Sequence, residues 1–199
     1  MAHAVFPTAY FGNIAYFAEL AKSTSPIIEG KEHFVKQTIR TRCSILGANG
    51  IQQLSIPVIR PYGSKTLMED VMLSETDPWK KIHWRSIESA YANAPFFEEY
   101  DQEIKQLIFQ DETNLLKYNQ RITQEILQLL DINTELGRTE SYETNNERID
   151  FRMVDFESPI EMKKYIQVFR DSNHFSTNLS ILDLLFCEGP IARKWLINS

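Results

Sequence analysis

The sequence predicts an α/β fold: a mixed sheet with an antiparallel hairpin, flanked by helices, in a single domain spanning residues 1–199. Three observations lead there. The chain opens with an apolar run, a Pro-containing loop and a helical pattern; β-rich runs then flank the turn "GANG"; and from residue 78 three long stretches carry apolar residues at helical spacing. A length of 199 residues with 43% hydrophobic and 12% aromatic content suits one buried core.

"HAVFPTAY" reads as a short strand entering a loop, and "NIAYFAELAKS" puts Ile14, Phe17, Ala18 and Ala21 on one helical stripe. "SPIIEG" is a buried strand by composition. In "FVKQTIRTRCSILGANGIQQLSIPVI" the hairpin signal is "GANG"; taken as one strand, its first half places Lys36, Thr38, Arg40 and Arg42 on one face and Ile39, Thr41, Cys43 and Ile45 on the other. After the loop "RPYGSKT" and a short strand in "MEDVML", Asp77 is the expected N-cap of a helix with Pro78 at its first position and its end near Pro95. "FFEEYDQEIKQLIFQ" follows, with Tyr100, Ile104, Leu107 and Ile108 on one stripe, then a helix capped by Asp111 whose seam is Leu115, Ile122, Ile126 and Leu129. "ELGRTESY" has strand character, and "ETNNERIDFRMVDFESPIEMKK" is polar and irregular enough for a long surface loop. "NLSILDLLF" is a buried helix stopped by Gly189, with Pro190 opening a last helical turn.

Several function classes are excluded by what is missing. A net charge of −6 without a basic block argues against nucleic acid. Cys43 and Cys187 stand far apart with no CxxC and no Cys/His cluster, which fits reduced, buried thiols and no metal site. The N-terminal stretch lacks a secretory signal pattern and no run is apolar enough to cross a membrane, so a cytoplasmic place and no transmembrane segment are expected. GxGxxG, P-loop, GxSxG and HExxH motifs are absent.

Three groups of residues can carry chemistry. The helix from Pro78 puts Trp79, His83, Ile87, Tyr91 and Ala94 on its inward stripe. His83 is there either a core histidine with both ring nitrogens partnered or a general base at a pocket wall. The Lys36, Arg40, Arg42 face is either an anion-binding surface for phosphate or carboxylate, or a solvated face held by salt bridges. Asp183 interrupts an apolar run; it either completes a capping box with Ser180 or pairs with Arg40, Arg42 or His83.

Three blocks, "FPTAYFGNIAYF", "PWKKIHWRSIESAYANAPFF" and "NLSILDLLFCEGPIA", together with "KQTIRTRC", resemble the WbqC-like protein family over nearly the whole chain. The middle block has a Trp, a His four residues later and an Ala-Pro-aromatic end; the last has LSI-D-LLF before Gly-Pro. The sequence departs from the family pattern at Phe6, Gly12 and Thr41, where Gln, Pro and Asn are usual, and by a short, irregular region from about Glu143 to Pro159. The resemblance implies a place in O-antigen and other surface-polysaccharide synthesis, with glycine transfer as the activity put forward for the family. By position it carries over Pro7, Tyr10, Phe11, Lys36, Arg40, Arg42, Trp79, His83, Tyr91, Pro95, Ser180 and Asp183.

The expectation is therefore a transferase moving an aminoacyl, glycyl or related acyl group to a sugar. In it His83 and Asp183 are catalytic, and Tyr10, Lys36, Arg40, Arg42, Tyr91 and Ser180 bind substrate. A small-molecule or sugar-linked substrate is expected without cofactor or metal. The alternative is a non-catalytic binding or scaffold protein that contacts another enzyme of the pathway.

Overall fold

The computed structural model describes residues 3–142, 148–158, 160–169 and 175–197. Strand β1 (His3–Phe6), helix α1 (Ile14–Lys22) and strand β2 (Ser25–Ile28) form a βαβ unit in which the two strands pair in parallel. Ala4, Val5 and Phe6 are all buried, the pattern of a strand covered on both faces. Asn13 caps α1 by accepting the Tyr16 N–H, and Ile14, Tyr16, Phe17, Ala18 and Leu20 turn inward.

The antiparallel hairpin forms where "GANG" predicts it, from β3 (Arg42–Gly47) and β4 (Gly50–Ser55). Gly50 sits at φ 101°, a left-handed position that suits glycine. A second antiparallel pair joins β5 (Val58–Ile59) to β6 (Met72–Leu73).

Three helices follow: α2 (Trp79–Tyr91), α3 (Phe97–Phe109) and α4 (Leu115–Leu129). Trp79, His83, Ile87, Tyr91 and Ala94 are all buried, as the helical spacing requires. Two caps differ from expectation. Asp77 offers only its backbone carbonyl to Trp79 N–H, so α2 starts without a side-chain cap. Helix α4 is capped by Asn114, which accepts from Lys117 N–H, while Glu112 ties down the N–H groups of Thr113 and Asn114 and moves the start past Asp111.

Beyond α4 the polar stretch holds two strands of two residues, β7 (Gly137–Arg138) and β8 (Ile149–Asp150). Both pair in parallel with the opening unit, giving a four-stranded sheet of order β7-β2-β1-β8. The stretch expected as loop thus contributes an edge of the main sheet; its residues 143–147 and 159 lie outside the described residues. Parallel and antiparallel strands occur, as expected, but in separate sheets. Helix α5 (Ile181–Glu188) is buried and stops at Gly189, where φ is 52° and an added Cβ would lie 2.5 Å from the Phe96 ring; α6 (Ala192–Ile197) closes the chain. One contiguous apolar core runs through both layers.

Candidate functional site

From β1 the chain crosses to β2 on one side, while β8 is laid against the other side of β1. The loops after β1 and β8 leave neighbouring strand ends and meet where Asn13 of the first donates to the Phe156 carbonyl of the second, and in a parallel α/β sheet ligands bind at the carboxyl ends of the strands. Charged residues concentrate at those ends. Glu29 directly follows β2 and is fully buried; its Oε1 accepts from the Thr139 hydroxyl at 2.6 Å and its Oε2 from Arg152 Nη1 at 2.9 Å. Arg152, just past β8, also grips Asp150 through Nε at 2.9 Å and Nη2 at 2.6 Å. Those bonds hold the Asp150 carboxyl below the usual range. Beside them Arg40 forms a two-pronged pair with Glu32, Nε to Oε1 and Nη2 to Oε2, both at 2.8 Å, and Nη2 also reaches the Arg152 carbonyl at 3.2 Å.

A cleft of ≈ 220 Å³ lies over this ionic lattice. Its walls are Pro7 after β1, Val35, Thr38, Ile39 and Arg40 before β3, and the segment from Arg152 to Glu157 after β8. Both guanidinium groups in the wall are already engaged by carboxylates, whereas Asp155 and Glu157 are exposed. The Ser158 hydroxyl, then the Glu157 N–H, hold Asp155 low; burial pushes Glu157 up, with Arg42 opposing. A second cleft of ≈ 350 Å³ lies on the far side of the same segment, bounded by Ala15, Ala18, Glu19 and Lys22 of α1 and by Phe151, Ser158, Ile160 and Glu161. Val154, Asp155 and Phe156 line both clefts. This shared wall is pinned at the Phe156 carbonyl, which accepts from the side-chain amides of Asn13 and Asn178. Asn178 has φ 55°, a left-handed conformation that Asn tolerates.

The residues singled out in the sequence fall elsewhere. No basic face exists as read: residues 36–41 turn rather than extend, Gln37 takes φ 60°, and β3 begins only at Arg42. Lys36 is consequently exposed, Arg40 buried against Glu32 and Arg42 half-buried, so the three do not share a surface. The inner side of β3 matches expectation, with Cys43 and Ile45 buried.

His83 is 4% exposed and lines neither cleft. Its Nδ1 lies 2.8 Å from the Tyr10 hydroxyl, and Trp79 packs edge-on to its ring. Burial pushes its pKa down to about 4, against a raising hydrogen bond to the Ser55 backbone. The ring is neutral at pH 7, and if its one proton goes to that carbonyl, Nδ1 accepts from Tyr10. Tyr10 is itself fully buried, which raises its pKa, and its backbone N–H bonds to Ile39 O in the cleft wall.

Among the described residues Asp183 meets no cation. Its carboxylate accepts from Tyr165 at 2.5 Å, Gln167 at 3.0 Å and Tyr91 at 3.1 Å, and burial pushes its pKa up. Ser180 does cap α5, accepting from Leu182 N–H, but its hydroxyl donates to Phe11 O and its own N–H goes to Ser44 O, so the box with Asp183 does not close. Tyr10 with His83, and Tyr91 with Asp183, are thus two knots within the core, and of the eight expected site residues Arg40 alone lines either of these two clefts.

Sequence reading missed Glu29, Glu32, Asp150, Arg152, Asp155 and Glu157. The signal for Glu29 was its place directly behind the short apolar strand in "PIIEG", where parallel sheets bind ligands; nothing comparable marks the others. Among the described residues no group of three or more His, Cys, Asp or Glu is arranged to hold a metal ion, and no helix is long and apolar enough to cross a membrane.

A sequence model of the WbqC-like protein family matches residues 8–170, a span that holds the loop after β1, helix α2 and the wall between the clefts. The chain belongs to the WbqC-like protein family. The match ends before α5, leaving Ser180 and Asp183 outside it. This WbqC-like chain is similar to the uncharacterized protein Rv1507c of Mycobacterium tuberculosis, at 29% identity over 135 residues. The alignment covers 67% of this chain and 55% of the relative, so the chain spans little more than half of that protein's length. No solved structure matches.

Proposed function

We propose that this WbqC-like protein is a transferase of surface-polysaccharide synthesis, moving an aminoacyl, glycyl or related acyl group to a sugar-linked acceptor at the cleft between the loops after β1 and β8. The observation that carries this reading is the position of that cleft at the carboxyl ends of the parallel strands, above a lattice of buried ion pairs that fixes its floor. Because Arg40 and Arg152 are engaged by carboxylates while Asp155 and Glu157 are exposed at the cleft, the cleft favours the hydroxyl or amine end of a substrate over a phosphate. His83 and Asp183 act here as positioning residues: His83 fixes Tyr10, which holds Ile39 in the wall, and Asp183 gathers Tyr91, Tyr165 and Gln167 behind the site. The place of action is the cytoplasm.

One observation favours a second reading, a non-catalytic scaffold bound to another pathway enzyme. Met153 is 88% exposed, and Val35 and Val154 beside it are exposed too, an apolar rim that a partner protein would cover. Thermal melts separate the two. UDP-N-acetylglucosamine, glycine and acetyl-CoA are each added to the wild type and to Met153→Trp, a change at an exposed residue that fills the cleft. A ligand at 100 times its Kd stabilises by about 2.7 kcal/mol, a rise of roughly 5–10 °C for a chain of this size. A rise seen in the wild type and lost in Met153→Trp supports the transferase site; no rise with any ligand moves the scaffold reading ahead.

A further inference from the structure

The two clefts share one wall, and group transfer needs two substrates side by side. Neither cleft is large: at ≈ 220 and ≈ 350 Å³ they stand below and near the lower bound of the roughly 300–1,000 Å³ usual for ligand sites. Each therefore suits one small group. Their linings differ in chemistry. The first offers Thr38, Asp155 and Glu157 as polar partners beside Phe156 and Met153, a mixture that fits a polyhydroxy ring. The second has an apolar side of Ala15, Ala18, Phe151 and Ile160, which fits a short carbon chain, and a polar rim of Ser158, Glu161 and the Glu19–Lys22 pair at 3.6 Å, which fits the polar part of a donor. Of the three residues lining both, Asp155 alone carries a polar side chain.

We infer that the clefts hold the two substrates of one reaction at once, the sugar acceptor in the first and the acyl end of an activated donor in the second, and that Asp155 receives the acceptor's proton. This rests on the transferase reading and adds the arrangement of its substrates. In the step, a lone pair of the acceptor's oxygen or nitrogen forms the bond to the acyl carbon. The bond from that carbon to the leaving group, the thiolate of a thioester or the phosphate of an acyl phosphate, breaks with its electron pair. The acceptor's proton passes to the Asp155 carboxylate and from there to the leaving group or water; nothing is oxidised or reduced. That proton becomes strongly acidic only as the new bond forms, so a carboxylate that stays ionised is a sufficient acceptor. Asp155 meets this need, being tied to the Ser158 hydroxyl at 2.6 Å and the Glu157 N–H at 3.0 Å.

The test uses the full chain with two families of probe: glucosamine and UDP-N-acetylglucosamine as acceptors, and acetyl-CoA and glycyl-CoA as donors. Binding is followed by calorimetry in the wild type, in Met153→Trp, which fills the first cleft, and in Ala15→Trp, which fills the second from a half-buried position on α1. The expected result is that an acceptor is lost only in Met153→Trp, a donor only in Ala15→Trp, and that each binds in the presence of the other. Mass spectrometry then detects acylated sugar in the wild type. Asp155→Asn, which keeps the accepting oxygen, binds both probes unchanged, forms product about 100-fold more slowly and loses the acid limb of the pH profile; Asp155→Glu restores part of the rate. Competition between acceptor and donor, loss of both in one filled variant, absence of product with both bound, or wild-type turnover by Asp155→Asn each overturns the inference. If an acceptor binds and disappears in Met153→Trp while Ala15→Trp behaves as wild type, the inference falls and the transferase site stands. If no probe binds, both fall.

Discussion

Two buried carboxylate regions, one in the core and one at the strand ends, solve the same problem in opposite ways. Asp183 is surrounded by neutral donors, the hydroxyls of Tyr91 and Tyr165 and the amide of Gln167, and burial still raises its pKa. Glu29 and Glu32 lie against guanidinium groups, Arg152 and Arg40. Yet Glu32 is also raised, because burial outweighs what Arg40 returns. The difference is in what failure leaves behind. Removing one neutral donor from Asp183 leaves two others in place, whereas removing Arg40 takes both bonds of the Glu32 fork at once and leaves that carboxyl beside Glu29 without its paired cation. The core knot tolerates perturbation; the strand-end lattice acts as a unit and so keeps the cleft floor in place.

The sharpest way to break the comparison is Arg40→Ala. Side chains only 4% and 8% exposed place this pair among buried ion pairs, for which loss of one partner costs about 3–5 kcal/mol. A fall in Tm of roughly 10 °C is expected for a chain of this size. The double variant Arg40→Met, Glu32→Leu should recover most of it, since the raised Glu32 shows that desolvation exceeds the pairing gain. Urea melts of both variants check this; a double variant no better than the single would mean that the pair itself, not the stranded charge, sets the stability.

His83 comes next. Its pKa falls from 6.5 to about 4 on folding, so the folded state binds its proton more weakly than the unfolded state. The stability this contributes is fully present above about pH 6.5 and is lost as pH falls toward about 4, amounting to about 3 kcal/mol. Melts between pH 7 and pH 4 should show this loss in the wild type and a flatter profile in His83→Gln. Asp183 has the opposite sign: a raised carboxyl favours the folded state below its unfolded pKa, and the advantage fades as pH rises through the folded value. Asp183→Asn should therefore gain on the wild type as pH rises from about 4 to about 8. A variant that loses ground on raising the pH would show that Asp183 is stabilised as the anion.

How much of this could be seen in the sequence follows from the length scale of each pattern. The stripe from Trp79 through His83 and Ile87 to Tyr91 spans several helical turns, and its burial was legible because periodicity averages over many residues. The hairpin was legible from Gly47 and Gly50 alone. By contrast β8 has two residues with exposed side chains and nothing periodic marks it; it exists because β1 offers an edge to pair with, while of the strand character in "ELGRTESY" only Gly137 and Arg138 pair, with β2. Arg40 failed for a related reason. An alternation of charged and apolar residues was read as a strand, but one residue with positive φ, Gln37, starts a turn and sends Arg40 inward to Glu32. The cleft draws its residues from three separate stretches, and only the fold brings them together.

The smallest expected effect is also the one that ties core to cleft. Asn13 performs two tasks: its Oδ1 caps α1 at Tyr16 N–H, and its Nδ2 donates to the Phe156 carbonyl in the wall between the clefts. Asn13→Ala removes both and should cost about 1 kcal/mol. Asn13→Ser keeps a capping oxygen but is too short and lacks the amide, so it should restore most of the helix cap while leaving the wall held by Asn178 alone. Melts of the two variants therefore measure the cap, and hydrogen exchange at the amides of Val154 and Phe156, which bond to Phe151 O and Val154 O, measures the wall. Faster exchange in Asn13→Ser at nearly wild-type stability would show that the cleft wall is loosened separately from the core. Unchanged exchange would mean that the Asn178 amide suffices, and that the wall draws its order from the strand-end lattice rather than from α1.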